Sequence, residues 1–138
     1  MNAQQNLEAV KRAYEAFGRG DIDGVLGTLH EDVEWVTPGP DDLPTAGKRR
    51  GHQAVREFFT TMSATFEVQR FEPRTFVADG DTVVVLGGDT ARMNATGALI
   101  EESWAHAFTF RDGKVVQFYE YLDTSEMVAD LRGAQSRR

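Results

Sequence analysis

The hydrophobic pattern of this chain changes its period once, near Val68, and that change is the strongest constraint on its fold. Before this point, apolar residues recur every three or four positions, which is the spacing of an amphipathic helix. After it, apolar and polar residues alternate, as in a strand with one buried face. Helices in the first half and strands in the second predict an α+β fold with the helices packed on one side of a sheet.

Three helices are predicted in the first half of the chain. The apolar face of the first begins at Leu7, and the helix ends at Gly18 and Gly20. Asp21 is expected to cap a second, short helix. The third helix follows residue 51 and carries Phe59 on its apolar face.

Four strands are predicted in the second half, with turn signals such as Asp-Gly between them. They span residues 68–78, 82–93, 99–110 and 115–122. A brief strand at 33–36 precedes the third helix, and 124–131 adds one or two helical turns at the end. The segment 37–51, rich in proline and glycine, is predicted to be a loop, either a cavity wall or lid or a surface excursion.

Composition excludes several classes of function. A net charge of −7 over 138 residues leaves no basic face for nucleic acid. The chain has no cysteine, and its three histidines lack the spacing of metal ligands, so no metal site is expected. No apolar run of about 18 residues could span a membrane. The amino-terminal residues predict a helix, not a signal sequence, so a single cytoplasmic domain is expected.

Several short strings occur in an order and spacing typical of one superfamily. They are YEAF at 14–17, EDVEW at 31–35, GHQAVREFF at 51–59, DGDTV at 79–83, WAHAFTF at 104–110, DGKV at 112–115 and EYLDT at 120–124. Over residues 6–131 the chain thereby resembles the SnoaL-like branch of the NTF2-like (ketosteroid isomerase-like) superfamily. The resemblance implies a cone-shaped fold, in which about three helices pack on a strongly curved, mostly antiparallel sheet and enclose a pocket. It also implies a homodimer through the outer sheet face, while residues 132–138 are expected to form a flexible tail.

The same resemblance implies that the last two strands supply side chains to the pocket. On the strand at 99–110, every second residue from Glu102 to Phe110 shares a face, and on the final strand Tyr119, Tyr121 and Asp123 do so. Both faces are assigned to the pocket by the resemblance; for each aromatic residue, core packing is the alternative. The expected lining residues are Tyr14, Trp35, Phe59, Glu102, Trp104, Tyr119 and Tyr121.

The catalytic residues of ketosteroid isomerase are not retained. That enzyme places a carboxylate base opposite a tyrosine and a protonated aspartate. Counted from shared landmarks, the tyrosine position is Ala13, the base position is Thr37 and the aspartate position is His106. Steroid isomerisation of that kind is therefore not expected.

SnoaL-like polyketide cyclases match better, because they resemble this chain in a pocket histidine and an aspartate at the end of the last strand. Those roles fall on His106 and Asp123. The implied reaction needs no cofactor. Asp123 is the base, or its partner, that removes a proton next to a carbonyl, while His106 donates to the oxygen or relays the proton. The expected ligand is a small hydrophobic carbonyl compound.

Two other functions stay open. Epoxide hydrolase relatives use an Asp–Arg pair, for which Asp89 and Arg92 are the candidates, but residues three apart on a strand face opposite sides. The other alternative is a non-catalytic domain that holds a small ligand or serves as a dimeric adaptor. In that case His106 is a hydrogen-bonded core residue and Asp123 a helix cap.

Overall fold

The computed structural model describes residues 2–136, which form an α+β fold with helices on one face of a curved six-stranded sheet. In chain order the elements are α1 (Ala3–Gly18), α2 (Ile22–Leu26), β1 (Leu29–Thr37), β2 (Gly47–Arg50), α3 (Gly51–Thr65), β3 (Phe66–Asp79), β4 (Thr82–Met93), β5 (Leu99–Arg111), β6 (Lys114–Leu122) and α4 (Ser125–Ser136). The predicted fold class is confirmed.

Local sequence signals set the starts of the first two helices. At α1, the Asn2 side chain accepts from the Gln5 backbone at 2.9 Å, and the Gln5 side chain accepts from the Asn2 backbone at 3.0 Å, forming a capping box. At α2, Asp21 accepts from the backbone N–H of Gly24 at 2.8 Å, as the sequence predicted. Both helices then bury their apolar faces in the main core.

The strands lie in the order β2-β1-β6-β5-β4-β3. In this sheet β1 pairs with β6 in parallel, and the other neighbours are antiparallel. β1 is longer than the strand predicted at 33–36, and β2 lies inside the segment predicted to be a loop, since it pairs with β1. We call the helix-covered side of the sheet the inner face and the other side the outer face.

A β-bulge decides which residues of β6 face inward. The β5–β6 hairpin begins with Phe110 opposite Val115, but one extra residue in β6 then shifts the pairing, and His106 lies opposite Glu120. Continuing the first register would place His106 opposite Tyr119. Because a shift of one residue moves every side chain to the other face, the bulge turns Glu120 inward and Tyr119 outward.

The carboxyl-terminal segment is helical over a longer stretch than predicted. α4 runs to Ser136, so residues 132–136 are not the tail expected at 132–138, and residues 137–138 lie outside the described part of the chain. The reason is a second apolar cluster, which joins α4, the loop 38–46 and the end of the β4–β5 hairpin. Its buried members are Leu43, Met93, Ile100, Met127 and Val128.

An ion pair ties the loop to the helix. Arg132 donates from Nε to Asp42 Oδ2 at 2.8 Å and from Nη2 to Oδ1 at 3.0 Å. Among residues 2–136, no helix is long and apolar enough to cross a membrane.

Candidate functional site

A cavity of about 110 Å³ lies between the inner face, α1 and α3. Its walls are mostly apolar and rich in aromatic rings, and Leu43 of the loop and Met127 of α4 line it from the side of the second apolar cluster. A cavity of about 150 Å³ holds benzene, so the volume here limits a fully enclosed ligand to about one aromatic ring or less. The polar residues in the walls are Tyr14, Thr37, Thr45, Asp89, Glu102, His106, Glu120 and Thr124.

Three of these side chains form a hydrogen-bonded chain. The Tyr14 hydroxyl of α1 lies 2.9 Å from His106 Nδ1 on β5. His106 Nε2 lies 2.9 Å from Glu120 Oε2 on β6. Tyr14 reaches His106 because it lies on the face of α1 that packs against the sheet. Glu120 reaches His106 because the two residues pair directly across β5 and β6.

The hydrogen positions along the Tyr14–His106–Glu120 hydrogen bonds follow from the groups at the two ends, a hydroxyl and a carboxylate. A carboxylate can only accept, so we assign a hydrogen to His106 Nε2, which donates to Glu120. Neutral His106 then accepts the Tyr14 hydroxyl at Nδ1. Burial, and secondly the charge of Glu120, raise the pKa of Tyr14 well above its usual range. Tyr14 therefore keeps its proton unless His106 takes it.

Aromatic rings hold the His106 imidazole in place. The ring of Trp104 stacks on it with 3.8 Å between centroids and 7° between planes, and Phe118 approaches its edge at 4.9 Å. Gly87 on β4 makes room for this stack, because a Cβ there would come within 2.7 Å of the Trp104 ring. His106 is only 5% exposed, so its orientation is fixed by packing as well as by hydrogen bonds.

Two further carboxyls face the cavity. Asp89 of β4 lies directly opposite Glu102 of β5 on the inner face. Burial, and secondly the charge of Glu120, raise the pKa of Asp89 to about 7. The nearby Trp104 indole N–H opposes this rise, although it does not meet the geometry of a hydrogen bond to Asp89. Burial, and then the charge of Asp89, raise the pKa of Glu102 to about 8. Both carboxyls carry protons at slightly acidic pH.

The structure places most of the predicted site residues in or beside the cavity. Trp104 forms a second layer behind His106 instead of lining the wall. The predicted residues that line it are Tyr14, Trp35, Phe59, Glu102 and His106.

The assignments on the last strand need correction. Tyr119 lies on the outer face, where its hydroxyl donates to Glu34 Oε2 at 3.5 Å, and Tyr121 is 57% exposed. Asp123 is exposed and accepts from the Ser125 backbone at 2.9 Å. Hydrogen bonding by the Ser125 side chain, and secondly by its backbone, lowers the pKa of the Asp123 carboxyl. The physical reason is the bulge in β6, which reverses the two faces of the strand. The structure therefore does not bring Asp123 to His106.

Sequence reasoning missed Glu120 and Asp89 as cavity residues. Glu120 lies between two tyrosines in the sequence, so alternation alone favoured the tyrosines as the inward set. The Asp-Gly turn fixes only the first pairs of the hairpin, and no residue type marks the bulge that follows it. Asp89 could have been found, because it interrupts the apolar alternation of β4 on the same face as Val83 and Val85.

The positions compared with ketosteroid isomerase and with the epoxide hydrolases lie in and near the cavity. Ala13 and Thr37 line the cavity, and Thr37 donates its hydroxyl to the backbone carbonyl of Thr45. Arg92 lies on the opposite face of β4 from Asp89 and donates to a backbone carbonyl of the following turn at 2.9 Å. Within residues 2–136, no three acidic, histidine or cysteine side chains are grouped so as to hold a metal ion.

Comparison with known proteins adds family and fold relationships. The model of the SnoaL-like domain family matches residues 10–118. The chain is 32% identical over 117 residues to the RNA polymerase sigma factor SigJ of Mycobacterium tuberculosis, covering 82% of this chain and 36% of SigJ. It thus spans about a third of the length of that relative.

Solved structures with the same fold cover nearly the whole chain. An NTF2-like protein from Burkholderia xenovorans LB400 is 40% identical, with a TM-score of 0.81 and coverage of 90% of this chain and 93% of its own. TerC, co-crystallised with polyporic acid, is 32% identical, with a TM-score of 0.83 and coverage of 91% and 96%. The expected NTF2-like architecture is confirmed by these superpositions.

Proposed function

Since the chain belongs to the SnoaL-like domain family, we propose that its cavity binds a small, mostly apolar carbonyl compound and catalyses proton transfer at the carbon beside the carbonyl. The observation that carries this proposal is the Tyr14–His106–Glu120 chain in the wall of an aromatic cavity. The co-crystallisation of TerC with polyporic acid supports an organic ligand for this chain as well. Removal of such a proton is the first step of an isomerisation or an aldol cyclisation.

The three side chains have the roles of hydroxyl, imidazole and carboxylate in a relay. Tyr14 takes the proton from the carbon of the ligand while its own proton passes to His106 Nδ1. The imidazolium that forms donates to Glu120 through Nε2, and the carboxylate stabilises its charge. Returning the proton along the same path to a different carbon of the conjugated enolate completes an isomerisation, and returning it to the same carbon gives hydrogen exchange. Glu120 thus has the carboxylate role that the sequence analysis gave to Asp123.

Exchange of carbon-bound hydrogen tests the proposal without the natural substrate. Acetophenone is incubated with the protein in D₂O, and deuterium entry into its methyl group is followed by proton NMR. Tyr14→Phe should reduce the protein-dependent rate by about a hundredfold or more, because it removes the group that exchanges the proton. Tyr119→Phe is the matched control, since it removes an outer-face hydroxyl, and it should retain the rate.

Two results would count against the relay. The first is an unchanged rate in Tyr14→Phe, which would separate this hydroxyl from the chemistry. The second is an equal loss of rate in Tyr119→Phe, which would indicate a general effect on the fold. A His106→Gln variant should lose the rate as Tyr14→Phe does, because it cannot take up the relayed proton.

A second candidate function is ligand-dependent regulation without catalysis. The relationship to SigJ supports it, because there the matching segment is part of a much longer transcription factor. In that case the cavity would bind the same class of compound, and His106, held by Tyr14 and Glu120, would be a hydrogen-bonded structural residue. Binding of acetophenone, measured by tryptophan fluorescence, together with no deuterium entry would favour this function.

We also propose that the outer face of the sheet forms a homodimer interface, as the family resemblance implies. The exposed large apolar side chains lie on the outer face, where a second copy could cover them: Val77, Leu86, Leu99 and Tyr121. Sedimentation equilibrium at micromolar concentration tests this, and Leu86→Glu should shift a dimer toward monomer. Cell fractionation tests the predicted cytoplasmic location.

A further inference from the structure

The proton relay explains how a proton leaves carbon, but it does not supply a partner for the oxygen of the ligand. When the C–H bond breaks, negative charge develops on the carbonyl oxygen, and a hydrogen-bond donor in the cavity wall stabilises that charge. His106 cannot be this donor, because Tyr14 and Glu120 occupy its two ring nitrogens. Another side chain of the wall is therefore needed.

The indole of Trp35 is a donor in the cavity wall that lacks an acceptor. Trp35 of β1 lines the cavity and is only 5% exposed. Its Nε1 is buried and makes no hydrogen bond to any other part of residues 2–136. An indole N–H can only donate, and a buried donor without an acceptor is costly. A ligand oxygen beside this atom would remove that cost.

The other unpaired polar atoms do not offer a donor at the cavity. In the described part of the chain, the remaining buried side-chain atoms without a partner are Asn6 Oδ1, Asp89 Oδ1 and Trp104 Nε1. Asn6 does not line the cavity, and Trp104 lies in the layer behind His106. Asp89 does line it, but a carboxylate oxygen only accepts. Among the described residues, Trp35 thus supplies the one buried side-chain N–H in the wall that has no acceptor.

Aromatic packing fixes the Trp35 ring. It stacks on Phe118 of β6 with 4.0 Å between centroids and 23° between planes. On its other sides, Phe58 and Phe59 of α3 each approach with centroids at 5.7 Å. A donor that is already held in place needs no reorganisation when charge develops on the oxygen.

The indole lies close to the proton relay. The Phe118 ring that stacks on Trp35 also contacts the edge of His106, at 4.9 Å between centroids. Tyr14, the proposed base, lines the same cavity as Trp35. In a ketone only one atom separates the oxygen from the carbon that loses the proton, so donor and base must reach neighbouring points of one cavity. Trp35 and Tyr14 meet this requirement.

We propose that the Trp35 indole N–H binds the carbonyl oxygen of the ligand and stabilises the enolate that forms when Tyr14 removes the proton. This inference rests on the proposed function and assigns the group that selects a carbonyl compound. The proton on carbon passes to the Tyr14 oxygen while the hydroxyl proton passes to His106. The electron pair of the C–H bond forms the new C=C bond, and the π pair of the carbonyl remains on the oxygen that Trp35 contacts.

NMR of the indole groups tests the contact directly. The chain has two tryptophans, so the ¹⁵N-labelled protein gives two indole N–H signals, and Trp104→Phe identifies which belongs to Trp35. The probe is cyclobutanone, which has one non-hydrogen atom fewer than benzene and suits the small cavity. It should move the Trp35 hydrogen signal downfield by accepting its hydrogen bond. Methylenecyclobutane, which has nearly the same shape but no acceptor, should leave the signal nearly in place.

A variant gives the second measurement. Trp35→Phe keeps an aromatic ring and removes the N–H, so the ratio of ketone to alkene affinity should fall about fivefold, the value of one hydrogen bond. The ratio is used because altered packing affects both ligands alike. Deuterium entry into cyclobutanone should slow by about a hundredfold, since the donor acts most strongly on the developing charge.

Two outcomes would overturn the assignment of Trp35. They are an unmoved Trp35 signal when cyclobutanone is added to the wild-type protein, including the case in which it does not bind, and an unchanged affinity ratio in Trp35→Phe. If that variant does not fold, the wild-type signal alone decides. The relay fails separately: a shifted signal without deuterium exchange supports Trp35 as the donor and counts against the relay, while exchange without a shift does the reverse.

Discussion

Glu102→Gln should stabilise the folded protein at alkaline pH, because it removes a carboxyl that the fold does not allow to ionise easily. Burial, followed by the charges of Asp89, Glu120 and Glu126, raises the pKa of Glu102 from 4.5 to about 8. In the unfolded chain the same carboxyl ionises near its ordinary pKa. Folding above pH 4.5 therefore requires either proton uptake or a buried negative charge.

The sign and size of the effect follow from this difference. A group whose pKa is raised by folding imposes no penalty below its unfolded pKa; the penalty grows as pH rises and levels off above about pH 8. At 1.36 kcal/mol per pH unit, the upper bound is roughly 5 kcal/mol. Because solvent reaches part of this side chain, we expect Glu102→Gln to gain about 2 kcal/mol at pH 9.

Urea unfolding at pH 5 and pH 9 measures the change in the free energy of unfolding. Glu101→Gln is the matched control, since Glu101 is the exposed, outward-facing neighbour on the same strand. It should have little effect at either pH. Glu102 does not carry the expected penalty if Glu102→Gln gains no stability at pH 9, or if its gain is the same at pH 5.

Three further predictions concern the surroundings of the site. Gly87→Ala should lose about 1–3 kcal/mol of stability and change the tryptophan fluorescence, because the new methyl would collide with the backbone carbonyl of Glu72 on β3 and with the Trp104 ring. Asp123→Asn should leave acetophenone exchange within about twofold of wild type if the relay is correct, since proton transfer then bypasses this exposed carboxyl. Arg132→Ala should speed amide hydrogen exchange in the loop 38–46 about threefold or more by removing both bonds to Asp42, as mass spectrometry would detect.

The sequence predicts structure well where the spacing of apolar residues within one helix or strand shows which of its faces is buried. The change of period near Val68 separates helices from strands, because each element must bury one face and the two spacings cannot be exchanged. Within β5 the alternation is regular, so the inward direction of Glu102 and His106 follows once the helix-covered face is known. Tyr14 is similarly placed by helical spacing on α1.

The sequence by itself therefore determined the α+β fold and the candidates for the inner face. Only the tertiary structure decided which of them meet. Tyr14 and His106 are 92 positions apart, and a bulge of one residue makes Glu120, not Tyr119, the partner of His106. Pairing register depends on how whole strands fit together, and the protonation of a carboxyl depends on the charges around it. Neither quantity is contained in the period of a single segment, so the chemistry of the cavity appears only when the strands are assembled.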